Sequence, residues 1–283
     1  MEFMKDKKWL FENLENDELR IIDCRYDLTD PQAGRTLYQE SHIPGASYFD
    51  LKEHLSSPVK KHGGRHPLPD LEVFKKQVEK AGIDRSKKVV AYDDGGSMYA
   101  ARLWWLLNYI GHEEVYILEE GFTGWEEMDY PVSTEIPTFD STDYKMDIQE
   151  EMLASVEDVR EIVESEEKTS VLIDSRAHER YLGEVEPLDR IAGHIPGAIN
   201  KEWTDSLDQG VFKSGAEQKE RFSALDIDEP IVVYCGSGVS ATPNYIALKM
   251  AGFTNVKLYA GSYSDWISYE DNEIATGVET KED

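Results

Sequence analysis

The sequence has 283 residues, of which 40% are hydrophobic and 31% charged, a balance typical of folded globular domains rather than of a disordered chain. Asp and Glu outnumber Lys and Arg by 57 to 30, and the formal net charge of −27 disfavours nucleic acid and anionic membranes as partners. The charged N-terminal segment lacks the apolar core of a secretory signal, so we expect a cytoplasmic protein.

Predicted strands and helices alternate along the chain, and four landmark patterns occur twice in the same order. The pairs are Asp23-Cys24-Arg25 with Asp174-Ser175-Arg176, His42-Ile43-Pro44-Gly45 with His194-Ile195-Pro196-Gly197, Ala91-Tyr92-Asp93 with Val233-Tyr234-Cys235, and Gly121–Trp125 with Gly261–Trp266. A repeat of roughly 140–150 residues is far longer than a solenoid unit and indicates two duplicated domains.

The spacing of the repeats predicts one domain over 1–135, a linker over 136–150 and a second domain over 151–283. The second copy opens on a helix that Ser155 caps, with Asp158 as its partner three residues later. Short β-branched runs alternate with helical segments, which predicts an α/β fold. In each domain we expect a mainly parallel sheet flanked by helices on both faces. Ligands of such sheets bind at the carboxyl ends of the strands.

A glycine-rich loop follows a predicted strand of the second copy and opens a helix near Ala241. Its residues are Cys235, Gly236, Ser237, Gly238, Val239 and Ser240. Main-chain N–H groups in such a loop, together with the dipole of the helix, favour a thiolate over a thiol, so Cys235 is predicted to be a nucleophile. The alternative is a buried, inert cysteine. Ser240 is the predicted N-cap of the helix.

The first copy carries Asp93 where the second carries Cys235. A carboxylate cannot take up and release sulfur, so the first domain is predicted to be catalytically inactive. The other cysteine, Cys24, is predicted to be a buried structural thiol. Two distant cysteines and scattered histidines build no recognisable metal site, and we expect neither a metal nor a cofactor.

These motifs together resemble the tandem rhodanese family of sulfurtransferases over roughly residues 9 to 270. The resemblance implies that the second domain is the active one and that Cys235 takes sulfur from a donor to form a persulfide. It also implies that a thiol, such as thioredoxin or glutathione, or cyanide then accepts the outer sulfur. The loop has no Lys or Arg after Cys235 and resembles the 3-mercaptopyruvate group of the family, whereas members that prefer thiosulfate carry basic residues there.

The resemblance also suggests residues for binding and proton transfer. Arg180 matches the family's substrate-binding arginine, and Arg190 is a candidate for a second one, although the sequence is two residues shorter there. Ser237 and His66 match two members of a Ser-His-Asp relay. The acidic member falls at Lys52, a departure from the family pattern, and Asp50 is the candidate substitute.

Three alternatives remain open at this stage. A cysteine phosphatase needs Cys-x5-Arg to grip phosphate, and the residue at the arginine position is Ala241. A non-enzymatic sulfur-carrier or binding module is the second alternative, and a module that only binds would not need Cys235 and an intact loop. A thiosulfate:cyanide sulfurtransferase would share the whole apparatus and differ only in its donor.

Overall fold

The computed structural model describes residues 3–167 and 170–279, and it divides into two compact units. The first unit comprises residues 1–57, 69–150 and 209–212; the second comprises 58–68, 151–208 and 213–283. Each unit therefore includes a short segment from the other half of the sequence. The stretch 136–150, predicted as a linker, is grouped with the first unit, where Gln149 N donates to the Tyr109 carbonyl at 2.9 Å.

The first unit contains a five-stranded sheet in the order β1-β5-β4-β2-β3, with every neighbouring pair parallel. Its elements are β1 Met4–Lys5, α1 Lys7–Glu12, β2 Leu19–Asp23, α2 Ala33–Glu40, β3 Ala46–Tyr48, α3 Leu71–Lys80, β4 Lys88–Tyr92, α4 Met98–Tyr109, β5 Val115–Leu118 and α5 Gly121–Glu127. A 3-10 turn at Glu150–Met152 begins with the last residue of the segment 69–150 and continues into the second unit.

The second unit contains a four-stranded sheet in the order β11-β10-β6-β7, again with parallel neighbours. In chain order the elements after α5 are α6 Val156–Glu164, β6 Val171–Asp174, α7 His178–Leu182, β7 Ile199–Asn200, a 3-10 turn Trp203–Ser206, β8 Leu207–Asp208, β9 Val211–Phe212 (in the first unit), α8 Gly215–Arg221, β10 Ile231–Tyr234, α9 Ala241–Ala251, β11 Val256–Leu258 and α10 Ser262–Trp266. The predicted α/β class with parallel sheets is confirmed.

The inner strands β4 and β10 are apolar and buried apart from Lys88 at the start of β4, as expected for parallel strands covered on both faces. In the second unit every residue of β10 is buried, and α9 is apolar on nearly all sides. The predicted cap of α6 is confirmed, because Ser155 and Asp158 form a reciprocal capping box. No helix within the described residues is long and apolar enough to cross a bilayer.

Candidate active site

Cys235 lies at the carboxyl end of β10, where the chain turns towards α9. Its Sγ accepts a hydrogen bond from the N–H of Gly238 at 3.1 Å, and 1% of the residue is exposed. Gly238 has a φ of +76°, and a Cβ there would lie 2.1 Å from the Ala260 carbonyl oxygen. The turn that directs this N–H at the sulfur therefore requires glycine.

The loop covers the sulfur, because residues 235–239 are all buried. The thiol thus lies inside the loop. Ser240 occupies the predicted N-cap position, but its side chain makes no capping hydrogen bond and the prediction of a cap is wrong in that respect. The reason is its helical backbone, with φ −72° and ψ −1°, whereas a capping side chain needs an extended residue.

Ser262, the first residue of α10, places a hydroxyl group beside the sulfur. It is fully buried, and its Oγ lies 4.0 Å from Cys235 Sγ. The hydroxyl donates to the Tyr259 carbonyl at 2.9 Å and accepts from the N–H of Cys235 at 3.1 Å. Its φ of +56° is unusual for a non-glycine residue, and strained backbone of this kind often occurs at functional sites.

The segment 58–68 brings His66 to the loop of the second unit. His66 Nδ1 lies 2.8 Å from the Oγ of Ser237, so the two residues linked by the family resemblance are in hydrogen-bond contact. They are separated by 171 positions in the sequence. The contact is a fact of the structure; the catalytic role of the pair remains a prediction.

The same segment is anchored on α10 and on Gly261, the residue before it. Gly63 N donates to Asp265 Oδ1 at 2.6 Å, and Arg65 N donates to Ser264 Oγ at 3.0 Å. Gly64 has a φ of +80°, and a Cβ there would lie 2.3 Å from the Gly261 carbonyl oxygen. This close approach of two backbones fixes the side chain that follows, Arg65.

Two guanidinium groups lie over Gly236, the residue that follows the cysteine. A Cβ built on Gly236 would lie 2.7 Å from Arg65 Nη2 and 3.3 Å from Arg180 Nη2. The predicted Arg180 is therefore beside the loop. Arg65, which the sequence analysis did not single out, is beside it too. The loop carries no basic residue of its own, yet two guanidinium groups from other segments lie beside its second residue, Gly236.

Buried carboxylates hold both guanidiniums in place. Asp189 accepts from Arg65 Nε at 2.9 Å and from Nη2 at 3.2 Å, and it also accepts from Arg180 Nη2 at 3.2 Å. Glu186 accepts from Arg180 Nη2 at 2.7 Å. Burial works to raise the pKa of Glu186, but hydrogen bonds from Arg180 and from the N–H groups of Leu188 and Asp189 hold that pKa below its ordinary value. Glu186 is thus held as an anion.

The other candidate arginine points elsewhere. Arg190 Nη2 donates a hydrogen bond to the Ile267 carbonyl oxygen, just after α10. Arg176 is fully buried and pairs with Asp174, with its Nη2 2.5 Å from Asp174 Oδ2. Arg176 also pairs with Glu186, whose Oε2 lies 3.1 Å from Arg176 Nη1. Arg176 therefore supports the carboxylate that orients Arg180.

The equivalent loop of the first unit is built around a carboxylate. Asp93 accepts hydrogen bonds from the N–H groups of Gly95, Ser97, Tyr99 and Ala100 at 2.8–3.2 Å. Main-chain donors that could hold an anion in this loop are thus bound to the protein's own side chain.

The remaining candidates lie in buried, hydrogen-bonded settings. Asp50 is in the first unit, where Oδ1 accepts from the N–H groups of Lys52 and Glu53 at 2.8 and 2.9 Å. His194 stacks on Tyr181 with ring centroids 3.9 Å apart, and His42 makes the matching contact in the first unit.

Burial and neighbouring carboxylates raise the pKa of Cys24 well above its ordinary value, which fits an inert thiol. No group of three metal-binding side chains occurs within residues 3–167 and 170–279.

Comparison with known proteins identifies the family. The model of the rhodanese-like domain matches residues 6–128 and again 155–269. The chain belongs to the rhodanese-like domain family. Both matches fall on the two sequence repeats, so the predicted duplication and family membership are confirmed.

Relatives of this rhodanese-like protein cover almost its entire length. It is 40% identical over 270 residues to the "Probable 3-mercaptopyruvate sulfurtransferase" of Pseudomonas aeruginosa, covering 93% of this chain and 94% of the relative. It is 32% identical to the thiosulfate sulfurtransferase of Rattus norvegicus, covering 92% and 90%. A solved structure of SseA from Escherichia coli, described as a 3-mercaptopyruvate sulfotransferase, matches with a TM-score of 0.80 and 33% identity over 93% of this chain and all of that one. The prediction of the sulfurtransferase class is thus confirmed, while these relatives differ in the donor that they are named for.

Proposed function

We propose that this protein transfers sulfur from 3-mercaptopyruvate, through a persulfide on Cys235, to a thiol or to cyanide. The observation that supports this most directly is the geometry of the loop. Cys235 Sγ receives the Gly238 N–H at 3.1 Å, while Arg65 and Arg180 lie over the adjacent Gly236. An N–H donor favours the thiolate, and guanidiniums are the natural partners of the carboxylate of an α-keto acid.

The first half-reaction forms the persulfide. The Cys235 thiolate attacks the donor sulfur, an S–S bond forms, and the C–S bond of mercaptopyruvate breaks. The electron pair of that bond passes to the donor carbon, which takes the proton of the donor thiol and leaves as the methyl group of pyruvate. The persulfide anion that remains is held by the loop N–H groups.

The second half-reaction returns the enzyme to its starting state. An acceptor thiolate, or cyanide, attacks the outer sulfur of the persulfide. The S–S bond breaks, its electron pair returns to the Cys235 sulfur, and the acceptor leaves as a persulfide or as thiocyanate. Glutathione, a thioredoxin-like dithiol and cyanide all satisfy this chemistry.

In this mechanism Arg180 binds the donor carboxylate, and the pair of Ser237 and His66 guides the proton. The Ser237 hydroxyl, in contact with His66 Nδ1 at 2.8 Å, is the nearest candidate to carry the donor's thiol proton to carbon. Asp50 stays the candidate for the acidic end of the relay. Replacing Arg180 by Ala should lower kcat/KM for mercaptopyruvate by about tenfold or more, the effect of one lost hydrogen bond to a charged group.

Thiosulfate is the second candidate donor, since cationic groups also attract a dianion. The argument for mercaptopyruvate is the local charge balance. Arg65 and Arg180 are each paired with a buried carboxylate, Asp189 or Glu186, so the cluster offers oriented donors with little excess positive charge. That arrangement suits a monoanion with a planar carboxylate better than a dianion.

The test is a steady-state comparison of both donors together with mass spectrometry of the intact protein. We expect one added sulfur atom on Cys235 after exposure to mercaptopyruvate, and a higher kcat/KM for mercaptopyruvate than for thiosulfate. Cys235→Ser should remove the adduct, whereas the matched variant Cys24→Ser should keep it. A strong preference for thiosulfate would mean that thiosulfate, not mercaptopyruvate, is the donor. The absence of an adduct with either donor would mean that the protein is a binding module and not a sulfurtransferase.

A further inference from the structure

We infer that Asp265, on α10, is a positioning residue that holds the segment 58–68 of the second unit and thereby keeps His66 in contact with Ser237. This inference rests on the proposed function, in which that pair guides a proton. Asp265 acts through the segment and is not itself a catalytic group.

The first support is the pair of hydrogen bonds that the carboxylate accepts. Asp265 is 5% exposed; its Oδ1 accepts from the N–H of Gly63 at 2.6 Å, and its Oδ2 accepts from the hydroxyl of Tyr259 at 2.6 Å. Burial and the nearby carboxylate raise the pKa of Tyr259 well above its ordinary value, so the phenol keeps the proton that it donates. Hydrogen bonds to a carboxylate are shorter and stronger than those between neutral groups, so Asp265 joins its two partners firmly.

The second support is what these two bonds connect. Tyr259 directly follows β11, and its N–H donates at 2.9 Å to the carbonyl of Val233 in β10. Gly63 precedes His66 by three residues. Asp265 therefore links the strand that leads to the nucleophile with the segment that carries His66.

The third support is the weaker chemistry of the neighbouring contacts. Arg65 N donates to Ser264 Oγ at 3.0 Å, and His62 Nδ1 lies 2.7 Å from Ser268 Oγ. Both contacts use neutral hydroxyl groups. A hydrogen bond to a charged group contributes more than one between neutral groups, so we expect the bond from Asp265 to contribute most to holding the segment.

The fourth support is the contrast with α5, the matching helix of the first unit. Trp125 and Trp266 mark the same place in the two repeats, so Gly124 stands where the second unit has Asp265. A Cβ on Gly124 would lie 2.4 Å from Glu120 Cβ, so an aspartate side chain has no room there. The carboxylate at this position is thus a feature of the unit that carries the nucleophile.

The consequence for catalysis concerns one half-reaction more than the other. Without the carboxylate, the Gly63 N–H loses its acceptor, the segment is held less firmly, and His66 leaves the Ser237 hydroxyl. Under the proposed mechanism that hydroxyl carries the thiol proton of the donor to carbon, so formation of the persulfide should slow. Transfer of the outer sulfur to cyanide needs no such proton transfer and should keep its rate.

The test is a double-mutant cycle of Asp265→Ala with His66→Ala, in which the two half-reactions are followed separately. We expect His66→Ala to slow persulfide formation from mercaptopyruvate about 10²-fold or more, the usual contribution of a general acid–base group. Asp265→Ala should slow this step about tenfold or more and should add no further loss in the His66→Ala background. Rapid-quench mass spectrometry measures the added sulfur. Thiocyanate release from the preformed persulfide should be unchanged in every variant.

The matched control is Asp158→Ala. Asp158 belongs to the capping box of α6 in the same unit, so its loss lowers stability without removing a bond to segment 58–68. Both half-reactions should keep their wild-type rates in this variant. Should Asp265→Ala not fold, Asp265→Asn keeps the shape of the side chain and removes its charge. A smaller loss is then expected, and it too must vanish in the His66→Ala background.

The outcomes separate this inference from the proposed function. If the wild-type protein forms no persulfide with mercaptopyruvate, the proposed function fails, and this inference with it. If the wild-type protein does form it, the inference is wrong when either single variant keeps the wild-type rate or when the two losses add. It is also wrong when Asp265→Ala slows both half-reactions equally, because Asp265 would then support the whole cysteine loop.

Discussion

The Asp93 loop and the Cys235 loop have similar backbone hydrogen bonds but differ in what their key side chains bind. In both, the carbonyl of the key residue accepts the N–H of an aromatic residue, Phe122 at 2.7 Å or Tyr263 at 3.0 Å. Among the described residues, Asp93 accepts from four loop and helix N–H groups, whereas Cys235 Sγ accepts from one, that of Gly238. The donors of the first loop are thus bound to its own carboxylate, whereas under the proposed function the second loop would hold a substrate-derived anion.

A second difference lies in the residue that packs against each loop. Gly121 and Ser262 occupy matching positions, with φ +58° and +56°. A Cβ on Gly121 would lie 2.3 Å from the Asp93 carbonyl oxygen, yet the second unit accommodates a complete serine side chain. The two units thus share the backbone conformation at this position and differ in the space and the hydrogen-bond donors around residues 93 and 235.

The largest expected effect comes from exchanging the two key residues. Cys235→Asp should abolish sulfur transfer, a loss of at least about 10⁴-fold, as for removal of other catalytic nucleophiles. Asp93→Cys should gain no persulfide, because the next residue is the carboxylate Asp94 and repels an anionic donor. Peptide mapping after treatment with donor would locate any added sulfur. A persulfide formed at position 93 would show that the loop backbone alone is sufficient.

The next effect in size concerns Gly121. Gly121→Ala should destabilise the first unit by about 3 kcal/mol or more, because it adds left-handed strain to a contact that cannot be accommodated. Ser262→Ala should cost about 1 kcal/mol, the usual value for a lost hydrogen bond. Urea unfolding followed by circular dichroism would measure both. Equal losses in the free energy of unfolding for Gly121→Ala and Ser262→Ala would contradict this prediction.

A smaller effect is expected from neutralising the first loop's anion. Asp93→Asn should destabilise the protein by about 2 kcal/mol, since an amide cannot accept from four N–H groups at once. Cys235→Ser should change the free energy of unfolding by less than about 1 kcal/mol, because the sulfur accepts a single N–H. A larger loss of stability in Cys235→Ser than in Asp93→Asn would contradict this prediction.

The smallest effect is a dependence of stability on pH. Burial lowers the pKa of His54 and His112 in the first unit and of His194 in the second. The unfolded chain, with an ordinary histidine pKa of about 6.5, binds protons first as the pH falls. Stability should therefore decline from about pH 7 downwards until the lower folded-state pKa values are passed. Denaturant midpoints between pH 7 and 5 would show it, and His112→Gln should flatten the curve. An increase of stability over this range would contradict the assignment.

Several features of the site follow from residues that are neighbours in sequence. The strand that ends just before Cys235 and the glycine turn after it depend on dihedral angles and hydrogen bonds within a few positions, and so does the capping box of α6 outside the site. The repeats supplied the contrast with Asp93, and family resemblance linked His66 with Ser237. The pair Gly63-Gly64 was a signal of the close backbone contact that positions Arg65, because paired glycines often mark such a contact.

The sequence by itself determined the duplicated α/β fold, and it predicted the nucleophile candidate and an inactive first loop, because these depend on local patterns that repeat. Only the tertiary structure decided that Arg65 joins Arg180 over Gly236, that Arg190 does not share that position, and that Ser262 lies beside the sulfur. The physical reason is distance along the chain: Arg65 and Asp189 are 124 positions apart, and their meeting depends on the packing of residues 62–66 against α10.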